Sequence, residues 1–223
     1  MSFERSLNDK NYSQSMNSIV PKKTTLIIIS VISLTILLTF CGVSRSHPHV
    51  FIVNRIKIVF DDKGLAGFKI QWNFDDMFAV MIAGDYDKNQ NGILEKNEIA
   101  LIKKEAFSYL ANHNYFTFVK IDEKPFKVEF IENFTAILNN NKLSYKFFVP
   151  CHVTATNNFK HITVAVYDPS YYTALFFAEK NPAALDNSAI FEVKTAIKED
   201  KSTSIYYDMI NPWALFLNFR IKQ

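Results

Sequence analysis

Cysteine and glycine are scarce in this chain of 223 residues, which holds two of the first and five of the second. Two cysteines cannot build the disulfide framework of a small secreted scaffold, and neither belongs to a zinc-type pair. Five glycines leave little material for loops that cradle phosphates. No Ser-His-Asp or Cys-His arrangement stands out, so no enzyme is expected. The chain also lacks internal repeats and any long disordered insert.

A basic nucleic-acid surface is missing as well. The formal net charge is +3, but residues 1–46 carry five Lys or Arg against two Asp or Glu, leaving twenty of each sign in the remainder. The basicity belongs to the N-terminal segment, so no nucleic-acid partner is expected.

What is present begins with Asp87-Lys88-Asn89-Gln90-Asn91-Gly92-Ile93-Leu94-Glu95-Lys96-Asn97-Glu98, which fills the constrained positions of an EF-hand calcium loop. Asp87, Asn89 and Asn91 take the first, third and fifth ligand positions, and Ile93 offers its backbone carbonyl. Glu95 stands where a water often intervenes, Glu98 where a bidentate carboxylate completes the shell, and Gly92 at the sharp turn. Leu94 suits the apolar position that faces the core. The competing reading is an Asn-rich turn between two helices. Helical signals on both sides favour the cation loop. Asp75 and Asp76 precede an apolar run ending at Ala83, and Ile99, Ile102, Ala106 and Leu110 repeat at helical spacing. Three carboxylates among the six ligands imply modest calcium affinity, sufficient outside the cytoplasm.

No charge falls between Thr24 and Ser44, and Leu26 to Val43 is dominated by Ile, Leu, Val and Phe, with Lys22 and Lys23 directly before it. Residues 1–23 are expected to be a cytoplasmic leader, and 24–46 a signal peptide or membrane anchor that sends the rest to the periplasm. Ser44-Arg45-Ser46 supplies small residues for cleavage before His47. Lipid attachment at Cys41 is disfavoured by Phe40. Any membrane contact would run through residues 24–44, and only if they stay attached. Residues 47–223 then make one domain, with Cys151 as its single thiol, expected to be buried between Val149 and Val153.

That domain reads mostly as strand. Val50 to Phe60 and Leu65 to Phe74 flank the turn Asp61-Asp62-Lys63-Gly64, and Phe116 to Ile121 and Phe126 to Phe130 flank Asp122-Glu123-Lys124-Pro125. Further strands are expected at Thr135 to Leu138, Leu143 to Pro150, His161 to Val166, Ile190 to Ile197 and Ser204 to Tyr207. Tyr171, Tyr172, Phe176, Phe177 and the Trp213 to Leu217 segment are expected to be core or a partner surface. The expected fold class is α+β: a mainly antiparallel sheet or sandwich with an EF-hand-like helix-loop-helix inserted at 75–111.

The runs His47-Pro48-His49-Val50-Phe51, Phe60-Asp61-Asp62-Lys63-Gly64, Trp72-Asn73-Phe74-Asp75, the cation loop and Tyr167-Asp168-Pro169-Ser170-Tyr171-Tyr172 resemble, in collinear order, the DUF1007 family of exported bacterial proteins. Phe51 stands where that family usually has Trp. Members are commonly labelled periplasmic components of an uncharacterised transport system and are often encoded beside, or fused to, nickel/cobalt-type membrane transporters. The resemblance implies an inner-membrane metal transporter as partner.

It also gives His47 and His49 a candidate role. Cleavage after Ser46 would leave His47 with a free α-amine and an imidazole, a pair able to chelate Ni, Co, Cu or Zn, and His49 could add a third nitrogen. Pro48 has no N–H to deprotonate, which rules out a site built on successive amide nitrogens. Further ligands would have to come from elsewhere, with His113, His152 and His161 as candidates. The alternative is that both histidines simply lead into the first strand. Asp168 is read as a turn starter before Pro169, and Trp72, Asp75 and Asp76 as a strand end followed by helix-capping acids.

Overall fold

The computed structural model describes residues 22–39 and 48–223. The first stretch is a helix, α1 (Lys22–Thr39), whose side chains from Lys23 to Thr35 are exposed. No helix among the described residues is long and apolar enough to cross a membrane. The His47 end and the expected cleavage region lie outside the described residues.

The second unit holds eleven strands in two sheets. The first hairpin is β1 (Val50–Phe60) and β2 (Gly64–Phe74). Its inward positions on β1 are Ile52, Asn54, Ile56, Ile58 and Phe60, all nearly inaccessible. Its outward positions include Phe51, Val53, Arg55 and Lys57, the alternation that a half-buried strand imposes. The turn is held by Asp61, whose Oδ1 accepts the N–H groups of Lys63 and Gly64 at 2.8 and 2.9 Å. Gly64 has φ +151°, and a Cβ there would fall 2.2 Å from the carbonyl of Val153, so no other residue fits.

Sheet A continues through β5 (Glu132–Asn139) and the long β6 (Lys142–Thr154) in the order β5-β6-β2-β1. Beyond β1 the pairing changes direction. β8 (Thr173–Phe177) and β9 (Ala183–Asp186) both run parallel to β1, at Val50–Asn54 and Ile56–Val59. The sheet is therefore mixed, and the expectation of antiparallel pairing holds for the rest of it. Sheet B is antiparallel throughout: β10 (Phe191–Glu199), β11 (Trp213–Ile221), β7 (Lys160–Val166), β3 (Thr117–Ile121) and β4 (Lys124–Phe126). The sheets meet where Phe60 of β1 packs on Phe191 of β10 and Phe219 of β11, with ring centroids 5.0 and 5.3 Å apart.

The terminal Trp213 segment takes the core placement among the two expected for it: it lies in an interior strand, with Ala214, Leu215, Leu217 and Phe219 inaccessible between β10 and β7. Two expectations change. Phe126 to Phe130 is strand only up to Phe126. Beyond it the chain has no partner strand, and Val128 and Ile131 enter the core from irregular backbone. Ser204 to Tyr207 is a tight curl. Tyr206, Tyr207 and Asp208 are all left-handed, with φ of 50°, 57° and 61°, and the curl is closed by the Ile205 N–H on the Ile210 carbonyl at 2.9 Å.

Between β2 and β3 lie α2 (Asp76–Tyr86), capped by the Asp75 carboxylate on the Phe78 N–H, and α3 (Lys96–Ile102). α3 relaxes into a π-type turn at Lys103–Phe107 and a 3₁₀ stretch at Ser108–Phe116. Left-handed Asn114, Tyr115 and Phe116 then turn the chain into β3. This helical segment covers part of the inner face of sheet A: Phe107 packs on Trp72, Phe134, Tyr145 and Phe147, and Phe78 stacks on Phe74. Ile102 and Leu110 are buried and Ile99 and Ala106 pack beside them, the stripe expected from their spacing.

Candidate functional site

The segment joining α2 to α3 folds around two buried acids. Asp87, the C-cap of α2, and Glu98, in the first turn of α3, expose only 6 % and 4 % of their surface. Buried carboxylates must be paired or hydrogen-bonded. Here backbone amides donate to both acids, and the Glu98 carboxyl also meets that of Glu95. Asp87 Oδ1 accepts from Asn91 N–H at 3.2 Å and Oδ2 from Gly92 N–H at 2.8 Å. Glu98 Oε1 accepts from Lys88 N–H and Oε2 from Glu95 N–H, both at 2.9 Å.

The other expected ligands stand in the same loop. Asn89 and Asn91 form successive turns, each Oδ1 accepting the N–H two residues on, from Asn91 and Ile93. Their amide groups both donate to Glu95 Oε1, at 3.1 and 2.7 Å. Gly92 has φ +78°, with open space where a Cβ would stand, so its demand is conformational and not steric. Ile93 is 60 % exposed while Leu94 is buried, as an alternating loop segment requires. The Glu98 carboxyl in contact with Glu95, and then the Asn91 and Asn89 amides, hold the Glu95 carboxyl far below its usual range, at about 2, so Glu95 is anionic. The Asp87, Glu98, Asn89 and Asn91 oxygens each accept one N–H and keep lone-pair capacity beyond it, whereas Glu95 Oε1 already accepts two. Asp87, Asn89, Asn91, Ile93, Glu95 and Glu98, the residues expected to face a cation, thus all stand in one hydrogen-bonded segment.

Among the described residues, those of the 87–98 loop included, no three or more His, Cys, Asp or Glu are grouped as a metal site would group them. His47 lies outside the described residues. His49 stands just before β1, its N–H on the Tyr172 carbonyl at 2.8 Å and its ring 4.8 Å from that of Tyr172. The three histidines considered as supporting ligands are dispersed. His152 is on β6 beside Asp61, the far end of β1 from His49, roughly 35 Å along an eleven-residue strand. His161 is the second residue of β7, its Nδ1 2.7 Å from Asn218 Oδ1, and His113 lies at the opposite end of β3. Asp168 is a structural turn acid: its oxygens accept from Ser170 N–H, Ser170 O–H and Thr173 N–H. Cys151 is inaccessible, and burial pushes its thiol up to about 12.

Sequence reasoning missed a buried acid and its half-buried cation. Asp200, after β10, accepts from Ser202 and Thr203 and binds Lys120 of β3 at 3.2 Å. Eighty positions separate the two in the chain, and no motif links them.

Two curated proteins share the sequence pattern. One is an uncharacterised 15.5 kDa protein encoded in the trpE 3′ region of Spirochaeta aurantia, 27 % identical over 135 residues that cover 60 % of this chain and 96 % of that protein. The other is an uncharacterised protein of Haemophilus influenzae, 25 % identical over 148 residues, or 65 % of this chain and 68 % of that one. Residues 32–209 match a family model described as protein of unknown function, DUF1007.

Proposed function

The chain belongs to the DUF1007 family, and from that premise we propose a periplasmic, calcium-stabilised accessory protein of a nickel/cobalt-type metal transport system that binds or passes a transition metal. The observation that carries the calcium part is the pair of buried carboxylates, Asp87 and Glu98, at the two ends of a twelve-residue loop whose glycine is left-handed. In this reading α2, the loop and α3 form an EF-hand-like unit. Asp87, Asn89, Asn91, the Ile93 carbonyl, Glu95 through a water, and Glu98 in bidentate mode would hold the ion. Bound calcium would supply positive charge to Asp87, Glu95 and Glu98 and clamp both helices to sheet A. The role is structural, because Phe78, Ile102 and Phe107 already fasten the unit to the core.

The transition-metal part rests on His47 and His49 with the amine freed by cleavage after Ser46. The apolar run behind Lys22 and Lys23 supports export. An inner-membrane transporter is the partner, and no catalysis is assigned.

Titration of the exported protein with Ni(II), Co(II), Zn(II) and Cu(II), wild type beside His47→Ala, tests this. Equal affinities would overturn the role of His47, and N-terminal sequencing that finds residues before His47 would remove the chelate. The dispersal of His113, His152 and His161 favours a second reading, a calcium-stabilised envelope interaction module without a transition metal. Calcium binding with no transition-metal uptake would select it.

A further inference from the structure

The outer face of sheet A gathers cations that the sequence scatters. Strand alternation places Arg55 and Lys57 of β1, Lys69 and Gln71 of β2, and Lys146 of β6 on one face. The register sets Arg55 opposite Gln71, Gln71 opposite Lys146, and Lys57 directly opposite Lys69. Like charges directly opposite on neighbouring strands are destabilising. Lys69 finds Asp186 at 3.2 Å, whereas Arg55, Lys57 and Lys146 have no ion pair among the described residues.

The face is also concave. The edge beside β1 is paired on both sides of Arg55: Ala178 N–H donates to the Asn54 carbonyl, and Ile56 N–H to the Pro182 carbonyl. Residues 179–181 must therefore bulge to span the place of one residue. With this wall, the four cations, Gln71 and Asn181 line a concavity of about 360 Å³. A solvated sheet face normally intersperses both signs; here the register brings two acids to the face, Asp186 beside Lys69 and Glu132 at the β5 edge, and Arg55, Lys57 and Lys146 stand in excess of them.

We propose that the basin is a binding site for a small anion carrying two separated anionic groups, such as phosphates, sulfonates or carboxylates. The Arg55 guanidinium offers its planar fork to one oxyanion, and Lys57 and Lys146 supply point charges for the second. The amides of Gln71 and Asn181 add donors. The site shares no residue with the calcium loop and stands or falls apart from it.

The test uses the full chain in calcium-replete, low-salt buffer, with ethanedisulfonate as probe because sulfonates compete little for calcium, and methanesulfonate as the single-charge comparison. Calorimetry should show saturable binding of the disulfonate, tighter than the monosulfonate and weakened about tenfold by Arg55→Glu or Lys57→Glu, with Lys222→Glu unchanged. Lys57→Glu should also keep or raise the melting temperature, since it replaces a repulsion with an attraction to Lys69. If charge reversal impairs folding, Lys57→Gln carries the same comparison. No saturable binding, equal weakening by Lys222→Glu, or binding to phosphatidylglycerol vesicles without binding the disulfonate would overturn the proposal.

Discussion

Glu98 closes the candidate loop onto its own start: its Oε1 accepts the backbone N–H of Lys88, ten residues earlier, at 2.9 Å. Its Oε2 holds Glu95 N–H at the same distance. One side chain thus ties the C-terminus of α2 to the N-terminus of α3 before any ion is considered. Both oxygens would also face a cation held by Asp87, and that double duty sets the first prediction.

Glu98→Gln should abolish calcium-dependent stabilisation and leave a smaller calcium-independent cost. A ligand present at about a hundred times its Kd stabilises the native state by about 2.7 kcal/mol. Wild type should lose stability of that order on adding a chelator, and Glu98→Gln should lose none. Melting curves with and without chelator measure both. A wild-type curve indifferent to the chelator would leave the segment a plain turn.

Tyr145→Phe should be neutral or stabilising. Tyr145 on β6 is inaccessible, burial pushes its phenol pKa up, and its hydroxyl has no hydrogen-bond partner among the described residues. An unsatisfied buried hydroxyl costs about 1–3 kcal/mol, and phenylalanine keeps the ring contacts with Phe74, Phe107 and Phe134. Urea unfolding should place the variant at or above wild type. A loss above about 1 kcal/mol would reveal a buried polar partner, with Trp72 and Asn54, its neighbours across the sheet, as the groups sharing it.

Much of this architecture was legible where local chemistry and tertiary demand agree. β1 runs from Val50 to Phe60 as its alternation predicts, because the Asp61 turn ends it where the pattern ends. The residue types at 87–98 specified a loop between two helices in the same way. Legibility failed where distant segments decide. β8 and β9 are short and pair parallel to β1, a partner more than a hundred residues earlier that no local pattern names. The Tyr206 curl has the apolar and aromatic composition of a strand but a left-handed backbone. The basic basin escaped for the same reason: Arg55, Lys69 and Lys146 become neighbours only through register. The histidines were legible as residues but not as a set, since their separation depends on which strand ends they occupy.

Cys151 should be unreactive in the native protein. It is inaccessible on β6, and burial pushes its thiol to about 12, so almost no thiolate exists at neutral pH. A thiol reagent should label it in denaturant and not in buffer. Cys151→Ser should cost about 1–3 kcal/mol, because a hydroxyl replaces an apolar sulfur without a partner. Rapid native labelling would mean that β6 opens locally.

Acid should strip a defined contribution from Asp200. Burial alone would raise its carboxyl, but the hydroxyls of Ser202 and Thr203, the Ser202 N–H and the Lys120 ammonium outweigh that and lower it from 3.8 to about 2. A folded-state value below the unfolded one means the native state holds the anion better. The contribution is therefore complete above about pH 4 and lost as pH falls through about 2. Its size is about 2 kcal/mol, since one pKa unit corresponds to about 1.4 kcal/mol and the carboxylate is nearly inaccessible. Asp200→Asn should lower stability at pH 7 and flatten its fall between pH 4 and 2. Lys120→Met should also destabilise at pH 7, because it leaves Asp200 buried without its cation. Urea midpoints across that range, wild type beside both variants, provide the measurement. Parallel curves for wild type and Asp200→Asn would assign the acid sensitivity to other carboxylates.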